Sequence, residues 1–312
     1  MTRAWPDLAS IDLAPTIEAL HMWSQVVGKV RLMLTPWENH GWHVPLYVSA
    51  RGLTTGLIPT VGRSFSIEFD FIASRLELHA TDGAHAGVAL RAQSVRDFYE
   101  ATMAALTDIG IAVRIDRMPC EIPNAVPFHE DTRPRAYDPD VAATYWRALV
   151  EIRRIFQLFR TRFVGKCSPI HLFWGAFDLA ITRFSGRAAP PHPGGAPNMP
   201  DAVAREAYCW EVSSAGFWPG LGTAAGPSFY SYAYPSPAGF AQAAVGPSGA
   251  AFDAALGEFV LPYSALIASA DPDDALLQFL ESSYVAAADL GGWDRAHLER
   301  PPGLLGRPPQ GS

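Results

Sequence analysis

Cysteine is scarce. The chain has three among 312 residues, Cys120, Cys167 and Cys209, odd in number and without CxxC spacing. A disulfide framework is therefore not expected, and a reducing, cytoplasmic setting is. Positive charge is also in deficit: 24 Lys and Arg face 31 Asp and Glu, a formal charge of −7, and no basic cluster is present. Nucleic-acid binding needs a positive footprint to neutralise phosphates, so nucleic acid is not an expected partner. No apolar run reaches the roughly 18 residues of a membrane span, and MTRAWPDLASIDLAP lacks the continuous apolar core of a signal peptide. A membrane partner is not expected either. There is no GxSxG elbow, HExxH pair, Walker loop or Rossmann fingerprint. GLGTAAG at 220–226 repeats glycine without the strand and helix that would hold a phosphate, and reads as a loop.

What the chain does have is apolar material, 49% hydrophobic and 12% aromatic, ample for one large core or two smaller ones. Helical spacing starts near Pro15 and is expected to end at Gly28-Lys29. The pattern from Trp42 to Arg51 alternates as a strand, and SFSIEFDF at 65–72 does so more clearly. LELHATDG completes a hairpin with Asp82-Gly83 as its turn. Ser94 caps a helix running to about Leu106 and closed by Gly110, and IAVRI follows as a short strand.

Residues 119–140, with several prolines and Asx residues, form a connection and the boundary between two halves. A long helix is predicted from about Pro139 to Phe163. Residues 170–184 read as one buried strand, 188–201 as a Pro/Gly-rich lid or disordered segment, and AREAYCWEVSS as another strand. SFYSYAYPSP places Tyr230, Tyr232 and Tyr234 on one face. EFVLPY is a strand, and Asp271-Pro272 opens the last helix. The fold class is α+β, with mixed or largely antiparallel sheets flanked by helices. The halves are 1–125 and 126–300, before a disordered tail at 301–312. Val27-Gly28-Lys29 and Val164-Gly165-Lys166 each end a helical run before a strand, which suggests two related halves around a central pocket.

Titratable groups within so apolar a chain are either paired in the core or used for chemistry. His40, His43, His171 and Glu211 offer the nitrogen donors and the compensating carboxylate that a divalent zinc or iron ion takes. Buried, hydrogen-bonded histidines are the plainer alternative. Lys166, Asp178 and Arg183 form a second group. Lys166 is a candidate base or nucleophile, and Arg183 with Arg51 a clamp for a carboxylate or phosphate, with Tyr47 beside it. Against this stands a structural ion pair of Asp178 and Arg183 with each other or with neighbours. Trp42, Phe173, Trp174, Phe217, Trp218, Tyr230 and Tyr232 are candidate walls of a ligand pocket or, alternatively, core. The expected function is a small-molecule enzyme with a buried polar site between the halves; the alternative is a non-catalytic small-ligand-binding protein. Oligomeric state is not specified by the sequence.

LHMWSQVVGKVRL, NHGWHVPLYVSARGLTT, FVGKCSPIHLFWGAFDLAITRFSGR and EAYCWEVSSAGFWPG resemble a bacterial family described as a domain of unknown function, DUF5996. The resemblance runs over roughly residues 5 to 299 and implies no activity. The family often carries a histidine at the position of Trp210, beside Glu211, so a role held by that histidine does not transfer to this chain.

Overall fold

Two antiparallel sheets meet edge to edge. The computed structural model describes residues 5–221 and 226–301. Its strands are β1 (Tyr47–Val48), β2 (Gly52–Thr54), β3 (Ile58–Thr60), β4 (Arg63–Asp70), β5 (Arg75–Ala80), β6 (His85–Ala89), β7 (Gln93–Ser94), β8 (Pro134–Arg135), β9 (His171–Phe173), β10 (Asp178–Ala188), β11 (Trp210–Trp218), β12 (Ser228–Tyr234), β13 (Ala251–Asp253) and β14 (Glu258–Pro262). The helices are α1 (Ala14–Leu34), α2 (Val95–Asp108), α3 (Pro139–Thr161), α4 (Asp201–Ala207), α5 (Tyr263–Ile267), α6 (Pro272–Leu290) and α7 (Arg295–Leu298). The first sheet runs β1-β2-β4-β5-β6, with β3 also on β4, and the second runs β13-β14-β12-β11-β10-β9. Edge strands β1 and β9 are linked where Leu46 and Leu172 exchange backbone hydrogen bonds of 2.8 and 2.7 Å. The fold is α+β, and one continuous hydrophobic cluster takes in residues of both expected halves, among them Ile17, Phe98, Phe177 and Leu280.

Local chemistry fixes the helix ends. Ser94 accepts from the Asp97 amide while Asp97 reaches back to the Ser94 amide, a reciprocal cap that starts α2. Asp138 and Asp271 cap α3 and α6, each followed by a proline whose fixed φ suits the first turn. Gly110, at φ +73°, closes the stretch after α2.

Several elements differ from expectation. Helix α1 runs past Gly28-Lys29 to Leu34, whereas Val164-Gly165-Lys166 lies beyond the end of α3, so the shared tripeptide marks no common joint. Gly28 is in mid-helix because the Trp174 indole lies against it, and a Cβ there would overlap the ring. Lys29 is buried and reaches Asp116 at 3.1 Å. The 42–51 pattern yields only the short β1, and 111–115 forms no strand. Residues 170–184 fold as a hairpin, β9 and β10 around a turn at Trp174–Phe177, with Phe177 at φ +62°. The turn reverses the chain, so one continuous alternation could not hold. AREAYCWEVSS opens as helix α4 before β11 begins. The loop expected at 220–226 lies largely, and the expected tail almost wholly, outside the described residues.

The two faces of the second sheet have different neighbours. Leu179, Ile181, Arg183, Phe217, Phe229 and Leu261 share the face toward α3, α5 and α6, where Phe217 meets Tyr145 and Tyr263. On the other face the rows are small in the middle and polar at the ends. Ala180, Gly216 and Tyr230 form one row, and Thr182, Ser214 and Tyr232 the next.

Candidate functional site: a carboxyl and tyrosine face

The small-residue face carries the chemistry. Strand β12 alternates, so Tyr230 and Tyr232 point the same way, and Glu258 of β14 joins them two residues from Val260, the partner of Tyr230. Asp178 opens β10 just after the Phe177 turn. The Tyr230 hydroxyl donates to Asp178 Oδ2 in a short hydrogen bond. Gly216 makes this reach possible: any Cβ there would overlap the Tyr230 phenol, which lies across β11. On the neighbouring row Thr182 Oγ1 and Ser214 Oγ are 2.9 Å apart, and Tyr232 and Tyr208 share a hydroxyl contact of 2.7 Å. His192 stacks on Tyr208 with 4.6 Å between ring centroids and meets Tyr234 at 5.1 Å. Trp218 donates its indole N–H to the Ala176 carbonyl at 3.2 Å. Tyr230, Tyr232 and Trp218 keep part of their surface open, so this face is not sealed by packing.

Two glutamates there feel the charge of Asp178. Burial pushes Asp178 up to about 6, against the Tyr230 hydrogen bond, which favours the ionised form. Glu121 is pushed up to about 7 by burial and then by the Asp178 charge. It sits in the connection after α2, held by its own amide donating to the Pro197 carbonyl at 2.7 Å, at φ +60°. Its carboxylate lies where a side chain at Gly175 would be. Glu258 also rises to about 7, through burial, Asp178 and Asp253. Burial pushes Tyr208 up to about 12 and raises Tyr230 and Tyr232 well above the ordinary range, so all three stay protonated donors. The Tyr145 hydroxyl is fully buried without a hydrogen-bond partner among the described residues, and the Asp178 charge adds to the burial that raises it. Carboxyls that titrate between 6 and 7 exchange protons at neutral pH, the condition for general acid and base work.

The other residues singled out from sequence fall elsewhere. Lys166 and Asp178 are not partners: Lys166 Nζ lies 2.6 Å from His40 Nε2, above the Trp42 and Phe184 rings. Burial lowers the Lys166 pKa. Arg183 faces away from Asp178, because the two stand five residues apart on one strand. Its guanidinium stacks on Phe159 at 3.4 Å and Tyr284 at 4.2 Å and pairs loosely with Glu281 at 3.6 Å. The pairing with neighbours is therefore realised and the Asp178–Arg183 pair is not. Arg51 is half-exposed on the first sheet against Asp70, so no clamp with Arg183 forms. Tyr47 lies under Arg31 at 5.2 Å. Trp174 is core, donating to the Val44 carbonyl at 2.9 Å, and only Trp218 of the two tryptophans reaches this face.

The four expected metal ligands do not assemble as one set. His40 Nδ1 meets the Ala207 carbonyl at 3.0 Å, and its other nitrogen meets Lys166. Glu211 alternates onto the opposite face from His171, where it accepts from Ser185 and Arg187. His43 and His171 have Arg31, a cation, for a neighbour. Among the described residues, three ligand-type groups meet within 4.8 Å at half-buried Glu77 and exposed His79 and His85 on the β5–β6 hairpin, with Glu77 also paired to Arg75.

Sequence reasoning missed Glu121, Glu258, Tyr208 and Arg31. Glu258 carried a signal, since it heads a strand that aligns with the tyrosine strand. Glu121 sits in an aperiodic connection and carried none.

No curated protein and no solved structure matches the chain. A family model described as a family of unknown function, DUF5996, matches residues 5–300, and the chain belongs to that family.

Proposed function

We propose that the protein is a small-molecule enzyme that moves protons on the face of β10, β11 and β12 beside the Glu121 loop. One observation supports this above the rest: Asp178 is almost wholly buried, has no cationic partner among the described residues, and is held by Tyr230 with a pKa raised to about 6. A structural carboxylate in a core is ordinarily paired with a cation. In this reading Asp178 exchanges a proton with the substrate. Tyr230 fixes its rotamer and donates to its ionised form. Glu121 and Glu258 supply or accept the second proton near neutrality. Tyr232, Tyr208 and Trp218 offer aromatic faces and hydroxyls to the substrate, and the net negative charge favours a basic or hydroxyl-bearing group.

The test is a screen of a metabolite library by thermal shift, followed by NMR of each hit after incubation with wild type and with Asp178→Asn. The reading expects turnover in the wild type, and retained binding with turnover lost in the variant. A hit recovered unchanged from the wild type, bound equally by both proteins, would establish the ligand-binding alternative instead.

A further inference from the structure

At the seam between the two sheets lies a second polar cluster that the carboxyl and tyrosine face does not use. Arg31, in the last turns of α1, is 7% exposed. It spends one guanidinium nitrogen on the Pro45 carbonyl, and its Nε–H, also buried, has no partner among the described residues. Among the described residues no carboxylate lies within 4 Å of it, and the acids nearby are engaged elsewhere: Glu206 accepts from the Trp37 indole at 2.9 Å, and Glu38 is exposed. A buried guanidinium without a counter-charge is costly and rare.

Two histidines compound the deficit. His43 is 1% exposed, and its Nδ1 accepts from the Glu38 amide at 3.2 Å. The proton of the neutral ring is thereby placed on Nε2, which is buried and unpartnered. His171 is fully buried, and neither ring nitrogen has a partner among the described residues. Burial first, then Arg31, drives its pKa down to about 3, so it is a neutral ring with one N–H to give. Burial lowers His43 as well, and Arg31 acts on it in the same sense. Tyr47 lies between two of the three, 5.2 Å from the Arg31 guanidinium and 6.3 Å from the His171 ring. Three unsatisfied N–H donors, one of them on an uncompensated cation, describe the complement of an anion. A metal ion is the wrong occupant, because the guanidinium repels it.

We infer that Arg31, His43 and His171 form a buried site for a small monoanion, either a free halide or the carboxylate of a small molecule. His171 pairs with Ala180, so it is the diagonal neighbour of Asp178 on the same sheet face, about 7–8 Å away between Cα atoms. A carboxylate-bearing ligand held here would lie beside the carboxyl and tyrosine face. The site nonetheless stands without any assumption about catalysis.

The full chain, exchanged into sodium sulfate, is melted at fixed ionic strength with increasing sodium bromide or sodium formate, and crystals are grown from each. The inference expects a rise of about 5 °C at an anion concentration a hundredfold above Kd. It also expects loss of that rise in His171→Leu and His43→Phe, and bromide anomalous density beside Arg31 Nε and His43 Nε2. A response to bromide alone identifies a halide site, a response to formate alone a carboxylate site, and a response to both a site open to either anion; each supports the inference. No shift with either anion in the wild type, with only water at these nitrogens in the crystals, overturns the inference. The wild-type comparison decides the matter even where a variant fails to fold.

Discussion

Asn in place of Asp178 should make the protein more stable at neutral pH. Asp178 titrates at about 6 in the fold against an ordinary 3.8. A carboxyl whose folded value is raised binds its proton more tightly when folded. Between pH 3.8 and about 6 the native state therefore holds more protons than the unfolded state, and stability falls as pH rises. At about 1.4 kcal/mol per pH unit across that gap, ionised Asp178 costs the fold on the order of 3 kcal/mol above pH 6 and nothing below pH 4. Asparagine keeps the shape and an acceptor for Tyr230 but carries no charge. Urea unfolding of wild type and Asp178→Asn between pH 4 and 8 should give curves that coincide near pH 4 and separate by up to about 3 kcal/mol at pH 7 and above, the variant being the more stable. A difference independent of pH, or a wild type more stable at pH 7, refutes the claim that Asp178 is a desolvated carboxylate without a cation. A group kept at a cost to stability is expected where function needs it.

Other outcomes follow from the same geometry. Tyr230→Phe removes the hydrogen bond that favours ionised Asp178, so the Asp178 midpoint measured by carboxyl 13C NMR should move above 6. Gly28→Ala sets a methyl into the Trp174 ring and should cost about 1–3 kcal/mol in chemical denaturation, with a change in tryptophan emission. Ser94→Ala breaks the reciprocal cap of α2 and should cost about 1 kcal/mol with little change in the rest of the fold.

Much of the architecture was legible because period and punctuation were strong. SFSIEFDF, SFYSYAY and the capped helices at Ser94, Asp138 and Asp271 appear close to where their patterns set them. The failures share one cause, that local pattern is silent on tertiary demand. Gly28 looked like a helix end because glycine usually is one, yet here it makes room for Trp174. Residues 170–184 looked like one strand because the turn at Trp174–Phe177 is built of apolar residues rather than the usual turn formers. In the candidate site, Asp178 and the tyrosine face were legible from apolar context and alternation. Its partnership with Glu121 was not, since that residue comes from a distant, aperiodic loop. The histidines were rightly picked as unusual, but the cation beside two of them, Arg31, sat within a helical run where an arginine attracts no notice.

The central claim is that Asp178, with Glu258 on the same sheet face and Glu121 from the connection after α2, titrates near neutrality and raises both glutamates. A 13C NMR titration of the full-length protein, with Asp178, Glu121 and Glu258 assigned by substitution, tests it most directly. The account predicts midpoints of about 6, 7 and 7, and lower values for both glutamates in Asp178→Asn. Three midpoints near 4, unmoved by that substitution, would contradict it.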